Sequence, residues 1–111
     1  MIEVILLKFL NEKLEYPCFM EEPKEAKKRF IKIQKIGSKR KNYIDFATIA
    51  IQSYGETMEE AAKLNEKVKN AMIEFSYKKK ISRVKIETDY NFTETQKERY
   101  RYQAIFQIIY Y

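Results

Sequence analysis

Cys18 is the single thiol in a chain of 111 residues that contains no histidine. A cysteine nucleophile needs a neighbouring base or cation to hold it as the thiolate. With no imidazole available, and with Pro17 and Phe19 on either side, Cys18 reads as a buried structural thiol. One cysteine forms no internal disulfide and no cysteine-based zinc site, and a lone unpaired thiol suits a reducing compartment. Asp45 and Asp89 are the only aspartates, and nothing in the sequence brings them together as an acid–base pair. Asp45 reads as a polar strand residue and Asp89 as a turn residue. Glu59 and Glu60 fall where a helix begins and suit its dipole. Two glycines, Gly37 and Gly55, are too few for a Gly-rich phosphate cradle. These residue types and spacings predict no catalysis, no metal and no cofactor.

The charge is more informative. The chain holds 22 Lys+Arg against 16 Asp+Glu, a formal net charge of +6. It is unevenly spread: net −3 over residues 1–23, +8 over 24–44, −3 over 45–77 and +4 over 78–111. The block from Lys24 to Lys41 is therefore a solvated face or a surface for an acidic partner. A hydrophobic fraction of 45% with 34% charged residues is an ordinary globular mix, and the length predicts one domain spanning 1–111. The run from Met1 to Leu7 is bracketed by Glu3 and Lys8 and lacks a basic leader and cleavage site, so no signal peptide is expected. No apolar run approaches the roughly 18 residues of a membrane span.

The elements that must position these charges follow from periodicity. Ile2, Ile5, Leu6, Phe9, Leu10 and Leu14 recur at helical steps and predict a helix over 2–15, ended by Pro17. Cys18 to Met20 reads as a short strand. Arg29 to Ile36 reads as a strand, residues 37–42 as a polar hairpin connection, and Tyr43 to Tyr54 as a strand apolar on both faces. Thr57 and Glu60 have capping-box spacing. They open a second helix with an apolar stripe of Ala61, Leu64, Val68, Ala71, Met72 and Phe75, closed by Lys78, Lys79 and Lys80. Ile81 to Tyr90 reads as a strand with Val84, Ile86, Thr88 and Tyr90 on one face. After a polar loop over 91–98, Tyr100 to Tyr110 is the last strand, with Ile105 and Ile109 on the side opposite Phe106 and Ile108. The order α-β-β-β-α-β-β predicts an α+β domain: a mostly antiparallel sheet of four to five strands with two helices packed on one face.

Such a sheet leaves its other face bare, and Ile105 and Ile109 become candidates for burial against a neighbouring subunit. Lys39, Arg40 and Lys41 are expected on a hairpin tip. Thr93, Glu94, Lys97 and Arg99 are expected on a second projecting loop. Helix, three strands, helix is also the order of a double-stranded-RNA-binding domain, but that family grips phosphates with a lysine-rich start to its last helix. Here the helix begins Met58-Glu59-Glu60, which repels them. Tyr100-Arg101-Tyr102 has stacking chemistry without the Gly-and-aromatic pattern of an RNA-recognition strand. The net charge predicts only transient, non-specific DNA binding.

Three stretches carry a resemblance: residues 44–57 (IDFATIAIQSYGET), residues 61–69 (AAKLNEKVK), and DYNFT at 89–93 followed by RYRYQA at 99–104. Together they resemble the small tail-terminator, or tail-completion, proteins of long-tailed phages and prophages of Gram-positive bacteria. The resemblance implies a structural virion protein, assembled in the bacterial cytoplasm, that forms a ring of about six copies. It implies that the ring caps the tail tube, contacts the tail tube protein and presents a surface to the head–tail connector or stopper protein. Other neck proteins, the stoppers and adaptors, are similar in size and stand as the alternative, followed by a small basic nucleic-acid-binding domain.

Overall fold

The computed structural model describes residues 1–25, 28–94 and 99–111. Helix α1 (Ile2–Lys13) is followed by a two-residue strand β1 (Cys18–Phe19), the long strands β2 (Phe30–Lys41) and β3 (Ile44–Gly55), helix α2 (Met58–Phe75), and strands β4 (Ile81–Asn91) and β5 (Tyr100–Tyr110). The strands form one sheet in the order β1-β2-β3-β5-β4. Every pairing is antiparallel except β1 with β2. The expected α+β class and element order are both present.

Both helices lie on one face. Ile2, Leu6 and Leu10 of α1 join Leu64, Val68, Ala71, Met72 and Phe75 of α2 in one buried cluster with Ile31, Ile33, Ala47, Ile49, Ile51, Ala104, Phe106 and Ile108 of the sheet. Alternation along a strand puts successive side chains on opposite faces, so odd positions of β3 and even positions of β5 supply the core. β3 is the central strand, paired along its full length with β2 and β5, and its even positions lie on the face away from the helices.

Several boundaries differ from the sequence reading for physical reasons. Helix α1 stops at Lys13, two residues before its predicted end, with Leu14 already extended. The Asn11 side chain folds back onto Cys18, accepting from its N–H at 2.9 Å and donating to its carbonyl at 3.3 Å. This clamps the chain into β1. The hairpin connection expected over 37–42 is instead strand. β2 continues to Lys41, and the turn is only Asn42 and Tyr43, both left-handed at φ 51° and 65°, the geometry of a two-residue hairpin turn. Gly37 marks a bulge beside Ile36, where the register with β3 slips by one residue.

Another bulge corrects the β4 face. The register shifts between Ile86 and Thr88, so Val84 and Ile86 stand opposite Ile108 and Phe106 on the helix side. Thr88 and Tyr90 stand opposite Ile105 and Gln103 on the other. The extra residue flips the face, and strict alternation cannot foresee it. The three lysines at 78–80 also lie beyond the end of α2 rather than in its last turn. Ser76 closes that helix, its Oγ donating to the Ile73 carbonyl. At the other end Thr57 Oγ1 accepts from the Glu60 N–H at 3.1 Å, as its spacing predicted, while the Glu60 carboxylate turns to Arg29 at 2.7 Å instead of back to Thr57.

Candidate functional site

The face away from the helices is built from even positions of β3 and odd positions of β5, and the register pairs them directly: Phe46 with Ile109, Thr48 with Gln107, Ala50 with Ile105, Gln52 with Gln103 and Tyr54 with Arg101. It divides into two unlike halves.

The half nearest Gly55 covers itself. Phe30 and Tyr54, opposite one another on β2 and β3, stack with ring centroids 4.2 Å apart and planes 10° from parallel. The Arg99 and Arg101 guanidinium groups lie over the Tyr54 ring at 4.8 and 5.7 Å, positions that favour cation–π attraction. Arg101 also donates to Tyr54 Oη at 2.9 Å, and Tyr54 donates to Gln52 Oε1 at 2.9 Å. Gln52 Nε2 donates to Gln103 Oε1 at 2.7 Å, and Gln103 Nε2 donates to Tyr90 Oη. The chain of bonds crosses β3, β5 and β4, and it lets Gln52 and Gln103 be buried without orphaned amides. Beside it lies a shallow cleft of about 270 Å³ lined in part by Phe30, Tyr54, Glu56, Arg99 and Tyr100.

The half nearest the β2–β3 turn is open. Ile44, Phe46, Thr48, Ile105, Gln107 and Ile109 are each only half-buried, and Lys39 lies over the Phe46 ring at 5.1 Å. Ile105 and Ile109 are thus on the uncovered side, as the alternation of β5 indicated.

The basic triplet is displaced from its expected place. Lys39, Arg40 and Lys41 are strand residues paired with Phe46, Asp45 and Ile44, not a loop at the tip, because the two-residue turn lets the ladder run to its end. Arg40 grips Asp45 with Nε at 2.6 Å and Nη2 at 3.3 Å. That hydrogen bond holds the Asp45 carboxyl below its usual range and the guanidinium more firmly charged.

The second candidate loop turns inward at the residues described. Thr93 Oγ1 accepts from the Arg101 N–H at 3.2 Å, Glu94 takes Arg101 Nη2 at 2.6 Å, and Arg99 pairs with Glu22. These three residues brace the Tyr54 stack instead of projecting. Lys97 lies outside the described residues. The stack itself was not foreseen, because the partnership of Phe30, Tyr54 and Arg101 depends on strand register. The one signal for it in the sequence was that β3 is apolar on its even positions.

Cys18 is buried, and burial pushes its thiol up to about 12, so it is not a nucleophile at neutral pH. Asp89 pairs with Lys69 of α2 at 2.7 Å and Asp45 with Arg40. Among the described residues no group of three or more His, Cys, Asp or Glu is placed to hold a metal ion, and no helix is long and apolar enough to cross a membrane. No family model matches the chain and no curated protein matches it significantly in sequence.

Proposed function

We propose that the protein is a ring-forming structural subunit of a phage tail, the terminator that caps the tail tube and offers a joining surface to the head. The observation that carries the reading is the half-open sheet face. Phe46, Ile105 and Ile109 lie on a surface that no described element of the subunit covers, and a neighbour would supply the missing layer. Burying apolar surface there contributes roughly 25 cal/mol per Å², and a stable contact needs about 800 Å² per partner. Head-to-tail contacts of this kind close into a ring when each rotates by a fixed angle. The sequence resemblance over residues 44–57, 61–69, 89–93 and 99–104 supplies the tail-terminator role and the count of about six. An assembly role also fits a site chemistry of ion pairs and stacked rings with no activated nucleophile.

The test is reconstitution. Purified protein added to polymerising tail tube protein stops elongation and leaves a ring on the tube end, visible by negative-stain microscopy. Tubes that grow unchanged and bare reject the terminator role. Rings that bind only the head connector favour the stopper or adaptor alternative.

A further inference from the structure

The register gathers one end of the molecule into a basic surface that neither the fold nor the ring reading requires. Arg40 stands opposite Asp45, Asp45 opposite Tyr110, and Tyr110 opposite Ile81. The segments 39–41 and 78–81, far apart in sequence, therefore flank the same end of the sheet. Three strand spacings of about 4.8 Å put them about 14 Å apart, close to the roughly 12 Å width of the DNA major groove. The Tyr111 N–H bonds the Lys80 carbonyl at 3.1 Å, tying the turn to the end of β5.

Among the described residues, unpaired cations occur singly elsewhere, at Lys8 and Lys85 for example, but this end gathers six of them. Elsewhere on the molecule many cations meet carboxylates: Lys13 with Glu74, Arg29 with Glu56 and Glu60, Lys35 with Glu3, Lys63 with Glu59, Lys67 with Glu15, Lys69 with Asp89. At this end Asp45 is occupied by Arg40. Among the described residues Lys39, Lys41, Lys78, Lys79, Lys80 and Arg83 have no carboxylate partner, and all six are exposed. The three most exposed aromatic side chains stand among them: Tyr43 at 93%, Tyr77 at 83% and Tyr111 at 65%. Cations without carboxylate partners, clustered at one end with exposed aromatic rings, match the chemistry of sequence-independent nucleic-acid binding.

We infer that this end of the sheet is a nucleic-acid contact, gripping phosphates with Lys39, Lys41 and Lys78–Lys80 and offering Tyr43 and Tyr77 to bases without reading sequence. Lys39 lies over the Phe46 ring at the edge of the proposed ring contact, so the nucleic-acid contact is tested on the unassembled chain, where its failure and that of the ring reading are distinguishable. Fluorescence anisotropy of the full chain with a labelled duplex of about 30 base pairs and a single strand of about 30 nucleotides, between about 25 and 200 mM salt, tests it. The double variants Lys39→Ala/Lys41→Ala and Lys78→Ala/Lys79→Ala should each weaken binding at least about five-fold near 50 mM salt. Each should also flatten the logarithmic salt dependence by about 0.7 to 0.9 for every phosphate it no longer neutralises. Tyr43→Ala/Tyr77→Ala should weaken the single strand more than the duplex. The control Lys8→Ala/Lys24→Ala, which removes equal charge elsewhere, should change affinity less than about two-fold. Thermal melts confirm folding, and Gln replaces Ala at any site where a variant melts early. The inference is overturned if the control weakens binding as much as the end variants do, or if neither nucleic acid binds at the lowest salt. It is also overturned if poly-L-glutamate binds through these lysines while nucleic acid does not, which would make the surface one for an acidic protein.

Discussion

Ile109 of β5 stands directly opposite Phe46 of β3, on the sheet face that carries no helix. The pair lies within the half of that face where the side chains are only half-buried. Toward Gly55 the same face is closed by the Phe30–Tyr54 stack and the buried amides of Gln52 and Gln103. Toward the hairpin turn no described element lies over it.

Ile109→Glu should therefore leave the chain folded, at a cost of about 1 kcal/mol for a half-buried position, while abolishing ring formation on tubes. Circular dichroism melts and negative-stain microscopy check the two halves of this expectation. A variant that still forms rings would show that the contact uses another face.

The two glycines should respond oppositely to alanine. A Cβ at Gly55 would come within 2.7 Å of the Ala61 nitrogen and 2.8 Å of the Glu60 Cβ, so β3 and the first turn of α2 would have to separate. The expected cost is about 1–3 kcal/mol, the range for overpacking. At Gly37 the nearest atom is 4.0 Å away, and the change should stay within about 0.5 kcal/mol. Urea unfolding of the two variants measures both.

Gln103→Leu should cost about 1–3 kcal/mol, because it strands the buried Gln52 amide and removes the donor to Tyr90. Adding Gln52→Leu should cost less than a second such loss, since removing both partners leaves fewer polar groups without bonds. A double-mutant cycle in urea gives the coupling; strict additivity would mean that the two amides act independently.

The fold was readable where periodicity is unbroken. The stripe of α2, the Thr57 cap, the two-faced β3 and the outward placement of Ile105 and Ile109 follow from helical and strand spacing. Bulges at Ile36, Ser82 and Glu87 were not readable, because one inserted residue changes the face without changing composition. The Asn42–Tyr43 turn was hidden because its left-handed residues include a tyrosine, which rarely takes that conformation, while Gly37 offered a more obvious turn. The Tyr54 stack and the basic end formed by residues 39–41 and 78–80 depend on which strands become neighbours, and a single sequence does not state that.

Cys18 should resist alkylation in the folded protein at pH values near neutrality and react on unfolding. Burial raises its pKa from the ordinary 9.0 to about 12, so the folded state holds the proton that the unfolded state releases. This contribution to stability is fully present below about pH 9 and is lost as pH rises toward about 12. Cys18→Ala should therefore show a shallower fall in stability over that window. Rapid labelling of the native protein by iodoacetamide at mildly alkaline pH would contradict the buried assignment.

The proposal that this subunit ends a phage tail is tested most directly by deleting its gene from the genome that carries it and measuring any tailed particles by electron microscopy. Tails of uncontrolled length that fail to join heads are expected. Tails of normal length joined to heads would contradict the terminator role.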